Sequence, residues 1–331
     1  MRQIAVLGAG SWGTALALLL ARKGCHVRLW VWDPAQAETM LRERANPSFL
    51  PGFPFPDEIV IMTSIPEAVE SAESVVLAVV SEGVTDTAER LKECLPSGIP
   101  IISGTKGLDS RSGLTVSQIL GRMMPENPVV ALSGPNLALE VAKGVPSATV
   151  AASTNCSASK YAQELFMCPS LRVYTNPDIL GVELAGALKN VIAIGAGVSD
   201  GLGFGDNTKA ALLTRGLAEI TRLGVRLGAE QATFMGLAGV GDIMATCASP
   251  LSRNRRVGLG LARGKRLEEI LAELGQVAEG IPTTRAVIRL ARDNDVAMPI
   301  AAEVHAMLFE GKSPETAVAD LMQREPKDEL W

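Results

Sequence analysis

The sequence predicts an α/β chain in two parts: a doubly wound sheet over residues 1–177, then an all-α domain over 178–331. Three observations lead there. A strand–glycine–helix–strand unit opens the chain, short β-branched runs alternate with helical patterns as far as Thr175, and beyond Pro177 such runs vanish. At 331 residues the chain also exceeds the size at which one hydrophobic core keeps growing, so two domains are expected.

The opening unit carries the most information. Ile4 to Leu7 is a short apolar run suited to a buried parallel strand. Gly8, Gly10 and Gly13 follow in GxGxxG spacing, then an apolar helical stripe from Ala15 to Ala21 that stops at Gly24. A second apolar run, Val27 to Trp32, ends at Asp33. Gly8 permits the tight turn, Gly10 lets backbone approach a pyrophosphate, and Gly13 lets helix and strand pack closely. The anion then meets the free N–H groups and positive end of the helix. Asp33 stands where an acid can accept from a ribose hydroxyl. In this order the pieces read as a Rossmann-type dinucleotide fingerprint.

Further strands are expected at Ile59–Thr63, Ser74–Val80, Ile99–Ser103, Val129–Ser133, Ala148–Ala152 and Leu171–Thr175. Ligands on doubly wound sheets bind at the carboxyl ends of the strands, which marks the loops after Val80, at Gly104–Gly107 and at Gly134–Asn136. Lys106 lies between two glycines in the second loop, where it can be a solvated lysine or a ligand contact. Asp178 can cap the first helix of the second domain. Helices are then expected at Ile179–Ser199, Lys209–Leu227, Leu267–Leu274, Thr283–Asp293 and Ala301–Leu308. The charged tail Arg324–Leu330 is expected to fray.

Composition narrows the function. Hydrophobic residues make up 47 % and aromatics 4 %, so the core is aliphatic, which suits a helix-covered parallel sheet. A net charge of −5 argues against nucleic acid as the main partner. The five cysteines (Cys25, Cys94, Cys156, Cys168, Cys247) lack metal-ligand spacing, so no metal site or disulfide framework is expected. The chain starts on a core strand, and its most apolar segment, Leu180–Val198, is broken by Glu183 and Lys189. A cytoplasmic protein without membrane insertion is therefore expected. His26, in an expected turn, and His305, on a late amphipathic helix, point to structural roles, leaving proton chemistry to another residue type.

That other type is lysine. Val182–Val198 reads as a fully buried helix of small residues with Lys189 in its middle. Glu183, six positions away, lies on another face and cannot neutralise it locally. A buried ammonium must shift its pKa or meet a ligand, and desolvation lowers it toward the range useful at neutral pH. Asn190, next in sequence, can hydrogen-bond a carbonyl or hydroxyl. The loop Ser199–Asn207 reads as a connector whose Asp206 or Asn207 caps the next helix. Asp242, after Gly239-Val240-Gly241, can orient a partner or cap a helix. Ser252 can cap the helix that begins with Arg253, Asn254, Arg255 and Arg256, a start that suits a phosphate.

Together these blocks resemble the bacterial type of NAD(P)-dependent glycerol-3-phosphate dehydrogenase. The resemblance is carried by Gly8–Ala17, Gly104–Gly107, Leu132–Asn136, Gly181–Asn207, Gly236–Asp242, Ser252–Arg256 and Glu279-Gly280. It implies a nucleotide domain and a helical domain like the C-terminal fold of 6-phosphogluconate dehydrogenase, with a cleft between them. It implies reversible hydride transfer between NAD(P)H and dihydroxyacetone phosphate, giving sn-glycerol 3-phosphate for glycerophospholipid synthesis, in a homodimer. By match of position, Lys189 is the proton donor/acceptor. Lys106, Gly134, Asn136, Lys189, Asp242, Ser252, Arg253 and Asn254 face substrate. Gly8, Gly10, Ser11, Trp12, Gly13, Trp32, Asp33, Lys106, Ala138, Arg253, Val277 and Glu279 face the cofactor.

The chain departs from that pattern at three places. Trp32 stands where Arg or His usually follows the second strand, and Trp32-Asp33 suits a free ribose diol better than a 2′-phosphate, so a lean toward NAD over NADP is expected. Val80 replaces a frequent proline, and Asn136 a frequent Ser/Thr. The KxxxN pattern of β-hydroxyacid dehydrogenases is absent, since Ala193 holds the fourth position. The nucleophilic cysteine of UDP-sugar dehydrogenases has no candidate context either.

Overall fold

The computed structural model describes residues 2–326, 328 and 329. Lys327 and Leu330 lie outside the described residues, and with them part of the tail expected to fray.

The first half folds as β1 (Gln3–Leu7), α1 (Ser11–Arg22), β2 (His26–Trp30), α2 (Pro34–Glu43), β3 (Ala45–Asn46), β4 (Leu50–Pro54), β5 (Ile59–Met62) and α3 (Ile65–Val69). It continues through β6 (Ser74–Leu77), α4 (Val84–Lys92), β7 (Ile101–Ser103), α5 (Val116–Met123), β8 (Val129–Ser133), α6 (Ala138–Lys143), β9 (Ser147–Ala152), α7 (Cys156–Phe166) and β10 (Leu171–Asn176). Among the described residues the main sheet has eight strands in the order β10-β9-β8-β7-β6-β1-β2-β5. Leu7 is in register with both Trp30 and Leu77, and the chain changes direction of winding between β1 and β6. The carboxyl edge at that switch point is where such sheets bind ligands.

Every strand expected from the apolar runs is present, with two differences in organisation. β9 runs antiparallel to β8. The 13 residues between Ser133 and Ser147 stay at the carboxyl edge, where α6 packs on α1, so the chain re-enters the sheet from that edge. The β3–β4 hairpin was not expected, because its ladder is short and its second strand contains Pro51, Gly52 and Pro54. It walls the glycine loop: buried Asn46 donates to the Ala9 carbonyl (2.9 Å) and to Thr14 Oγ1 (2.8 Å). Ser11 Oγ donates to the Phe49 carbonyl (2.7 Å).

From Ile179 on the chain is helical: α8 (Ile179–Gly201), α9 (Asp206–Arg226), α10 (Gln231–Phe234), a π-helical turn at Leu237–Gly241, α11 (Asp242–Ala248), α12 (Arg253–Ala262), α13 (Leu267–Leu274), α14 (Gly280–Asp293), α15 (Pro299–Phe309) and α16 (Pro314–Met322). Asp178 caps α8 as expected, accepting from Gly181 N–H (2.8 Å). It also accepts from Glu230 N–H (2.9 Å) and Thr233 Oγ1 (2.7 Å), which anchors α10. Asp206 does not cap α9. It is the first helical residue, and Gly205 takes the cap position.

α8 is the spine of this half. It is long and apolar enough to cross a bilayer by length and composition, yet it is buried from Gly181 to Ser199 and sheathed by α9, α11, α12, α14 and α15. The α8–α12 crossing is close because both sides are glycine: a Cβ on Gly197 would lie 2.0 Å from the Arg255 carbonyl oxygen, and one on Gly258 2.0 Å from that of Ile194.

Candidate active site

Two loops of the sheet edge and two helices of the second half converge on one carboxylate. Asp242, 2 % exposed, accepts from Lys189 Nζ through Oδ1 (2.6 Å) and from Lys106 Nζ through Oδ2 (2.8 Å). The second lysine comes from the glycine-flanked loop after β7, so one carboxylate joins the two halves of the molecule. Lys106 Nζ also donates to the Gly134 carbonyl (2.7 Å), which ties in the loop after β8. Lys189 donates in addition to Thr246 Oγ1 (2.6 Å), one turn beyond Asp242 on α11.

The expectation that Lys189 is buried without a local partner holds, and its partner comes 53 residues later in the chain. Burial pulls its pKa down to about 8, against the opposing pull of Asp242. Burial pushes the Asp242 carboxyl up, but the two ammonium groups outweigh it and hold the group below the usual range. The result is a charged carboxylate beside an ammonium that can release its proton near neutral pH.

The side-chain hydrogen bonds of Asn190 go elsewhere than to the Lys189 ammonium. The Asn190 amide donates to the Lys106 carbonyl (3.3 Å), and its oxygen accepts from Asn254 Nδ2 (2.8 Å). Asn254 Oδ1 in turn accepts from Gly280 N–H (2.9 Å), so the two asparagines link α8, α12 and α14. Ser252 caps α12 through Arg255 N–H (3.2 Å), as expected. Arg253 lies beside it, its Nη1 donating to the Val277 carbonyl (2.7 Å). The N–H groups of Arg253 and Asn254 occupy the first turn, where helix geometry leaves donors without intrahelical partners.

The glycine loop fits the other expectation. Gly8 has φ +110°, and a Cβ there would lie 2.6 Å from the Ala78 carbonyl oxygen; one on Gly13 would lie 1.9 Å from that of Gly8. Those two are required by packing. Gly10 is not: nothing lies within 4 Å of where its Cβ would be, and it leaves α1 without a side-chain cap. Trp12 Nε1 and Asn136 Oδ1 are buried with no hydrogen-bond partner among the described residues. An open approach to bare helix N–H groups beside an orphaned donor suits a dinucleotide phosphate.

The remaining expected positions lie on loops and helix starts of both halves. Trp32 lies just past β2 and is 75 % exposed. Asp33 caps α2 through Ala35 N–H (3.1 Å), a local role that the fingerprint alone does not show. Ala138 opens α6, and Val277 is 44 % exposed. Glu279 accepts from Ser81 N–H (2.9 Å) and Ser81 Oγ, so it bridges the loop after β6 to the start of α14; burial pushes its pKa up.

Two groups near the site, Thr246 and Phe49, and the partner of Glu183 escaped sequence reading. Thr246 carries no motif of its own and shows itself only by its spacing of four from Asp242. Phe49 sits in the unexpected hairpin. Glu183 is buried and accepts from Ser117 N–H (2.8 Å) and Ser117 Oγ, which pins α8 to the start of α5.

The family model "NAD-dependent glycerol-3-phosphate dehydrogenase N-terminus" matches residues 3–159, and its C-terminus counterpart matches 178–319. The chain belongs to the NAD-dependent glycerol-3-phosphate dehydrogenase family. It is 49 % identical over 328 residues to glycerol-3-phosphate dehydrogenase [NAD(P)+] of Thermoanaerobacter sp., covering 99 % of each chain. The same enzyme of Chlorobium limicola is 48 % identical over 331 residues, again with 99 % of each chain covered. Among solved structures, glycerol-3-phosphate dehydrogenase of Coxiella burnetii superposes with a TM-score of 0.95 at 40 % identity, covering 97 % of this chain and 98 % of that one. The family's fold is thus the one observed here, a nucleotide-binding sheet domain followed by a helical domain.

Proposed function

We infer that the protein interconverts dihydroxyacetone phosphate and sn-glycerol 3-phosphate with NAD(P)H, supplying glycerol 3-phosphate for glycerophospholipid synthesis. The observation that carries this reading is the buried Lys189–Asp242–Lys106 cluster at the mouth of a dinucleotide loop. A bound nicotinamide nucleotide supplies or accepts the hydride. The protein's own task is to manage charge and position.

When the ketone becomes an alcohol, negative charge develops on the C2 oxygen. Lys189, an acid poised near neutral pH, gives that oxygen its proton and recovers one in the reverse direction. Asp242 and Thr246 fix the ammonium, and Asp242 compensates the second positive charge of Lys106 in a dry site. The start of α12, with Ser252, Arg253 and Asn254, and the loop of Gly134 and Asn136 bind and orient the phosphorylated three-carbon chain. Gly8, Gly10, Ser11, Trp12, Gly13, Trp32, Asp33, Lys106, Ala138, Arg253, Val277 and Glu279 are assigned to the nucleotide.

NAD is assigned as the preferred form. The exposed ring of Trp32 offers no cation to a 2′-phosphate, and the Asp33 carboxylate repels one. The domains are assigned to 1–177 and 178–331, since β10 ends at Asn176 and α8 starts at Ile179. The reading places the enzyme in the cytoplasm as a homodimer, with a small phosphoester rather than nucleic acid or bilayer as its partner. Its net charge of −5 argues against nucleic acid.

One assay tests the reading: loss of NADH and NADPH absorbance on adding dihydroxyacetone phosphate. Turnover with NADH the better substrate is expected. No turnover with either nucleotide overturns the function, and an NADPH preference overturns the assignment of Trp32 and Asp33.

A further inference from the structure

Glu279 takes the cap position of α14, yet its side chain does not cap that helix. It crosses instead to the sheet half, accepting from Ser81 N–H (2.9 Å) through Oε1 and from Ser81 Oγ through Oε2. Ser81 is 3 % exposed and opens the short turn Ser81–Gly83 after β6. Both donors of one serine thus hold both oxygens of one carboxylate, across a separation of 198 residues. Two bonds fix the direction of the carboxylate as well as its distance.

From this pair a series of contacts runs back to where it began. Gly280 N–H, next to Glu279, donates to Asn254 Oδ1 (2.9 Å), and Asn254 Nδ2 donates to Asn190 Oδ1 (2.8 Å). Asn190 Nδ2 then donates to the Lys106 carbonyl (3.3 Å). The next residue, Gly107, lies against the starting pair: a Cβ there would lie 2.5 Å from Ser81 Cβ and 2.9 Å from Glu279 Oε2. A branch leaves the same segment, where the Val277 carbonyl accepts from Arg253 Nη1 (2.7 Å). The circuit passes between the two halves at Asn190–Lys106, by one long bond, and at Ser81–Glu279, by two bonds to one carboxylate. The second crossing is the tighter.

We propose that Ser81 is a positioning residue: by holding Glu279 it closes this circuit and sets Lys106 in place against Arg253 and Asn254. It acts through Glu279 and the Gly107 contact. The inference rests on the functional reading above for its kinetic consequence alone.

The molecule supplies its own control. Glu183 of α8 accepts from Ser117 N–H (2.8 Å) and Ser117 Oγ in the same two-oxygen pattern, and among the described residues its carboxylate bonds only to the start of α5. Both serines clasp the two halves, but only Ser81 belongs to the circuit.

The variants are Ser81→Ala, Ser117→Ala, Glu279→Ala and the double variant Ser81→Ala with Glu279→Ala, all in the full chain. Each is read by Tm and by kcat and KM for dihydroxyacetone phosphate at saturating NADH. Each is also read, without ligand, by amide hydrogen exchange in peptides covering 104–107 and 252–256. Ser81→Ala is expected to lower kcat/KM about tenfold, near the upper end of what one ordinary hydrogen bond contributes, and to speed exchange in both peptides. Ser117→Ala is expected to lower Tm while kcat/KM stays within about twofold of wild type and exchange in those peptides is unchanged. The double variant should be no worse than Glu279→Ala, because both changes break the same link.

If Ser81→Ala matches Ser117→Ala in kinetics and exchange, the pair is a structural clasp only and the proposal fails. Additive losses in the double variant also overturn it, since Ser81 would then act by a route other than Glu279. Absence of turnover in the wild type refutes the functional reading, and the exchange measurement still decides this one.

Discussion

Gly10 and Gly13 belong to one motif, but the structure gives them opposite physics, and alanine substitutions separate the two. Alanine at 13 must escape an oxygen 1.9 Å from its methyl, so α1 and the Gly8 turn must part by about 1 Å. Overpacking of that kind costs about 1–3 kcal/mol or more. At about 2–4 °C per kcal/mol for large domains, the melt should fall by about 5 °C or more. Alanine at 10 meets nothing within 4 Å, and its φ of −74° suits any residue. Losing a helix-cap glycine costs about 1 kcal/mol, offset by about 0.4–1 kcal/mol of unfolded-chain entropy, so the melt should move by no more than about 2 °C. The penalty appears instead with ligand. If the methyl keeps the pyrophosphate off two backbone donors worth about 1.5–3 kcal/mol each, NADH affinity drops about 100-fold or more. Thermal melts without nucleotide and fluorescence titration with NADH read the two effects apart. The reasoning is refuted if Gly10→Ala binds NADH like wild type, or melts as low as Gly13→Ala.

Lys189→Met should nearly abolish turnover while NADH binding stays within about twofold, and turnover within tenfold of wild type removes Lys189 from the mechanism. Because its ammonium titrates at about 8, ketone reduction should slow as pH rises through that value, whereas alcohol oxidation, which needs the neutral amine, should quicken. A flat profile between pH 7 and pH 9, read as kcat in both directions, would sink the assignment. Glu219 is buried under the start of α15, accepting from Ile300 N–H (2.8 Å); burial pushes its pKa up to about 7 from the ordinary value near 4.5. A carboxyl raised on folding stabilises the native state below its unfolded pKa and loses that contribution as pH rises through its folded one. Glu219→Gln should therefore melt like wild type near pH 5 and above it near pH 8; parallel melting curves across that range would count against the shift.

Much of this was legible in the sequence because the signals were local. Apolar runs mark all the strands of the main sheet, and the misplacement of Lys189 in an aliphatic helix marks the catalytic candidate. What stayed hidden depends on contacts between distant segments. The partner of Lys189 is 53 residues away, and Glu183, read as an interruption of an apolar helix, is bound to Ser117 at a separation of 66. α10, the π-turn and α11 are short, and Gly236, Gly239 and Gly241 interrupt the stretch between them, so no periodicity develops over them. The direction of β9 was invisible for another reason: an apolar run reads the same whichever way its strand points.

α8 has a consequence for biosynthesis. A 23-residue apolar segment emerges from the ribosome long before the helices that cover it, and α15 closes over it only when residues 299–309 have been made. Until then the nascent chain presents a greasy rod that chaperones or a translocation channel can read as cargo. Stop codons late in the gene should therefore be more harmful than the loss of a few surface helices implies, since they leave that rod uncovered and invite aggregation.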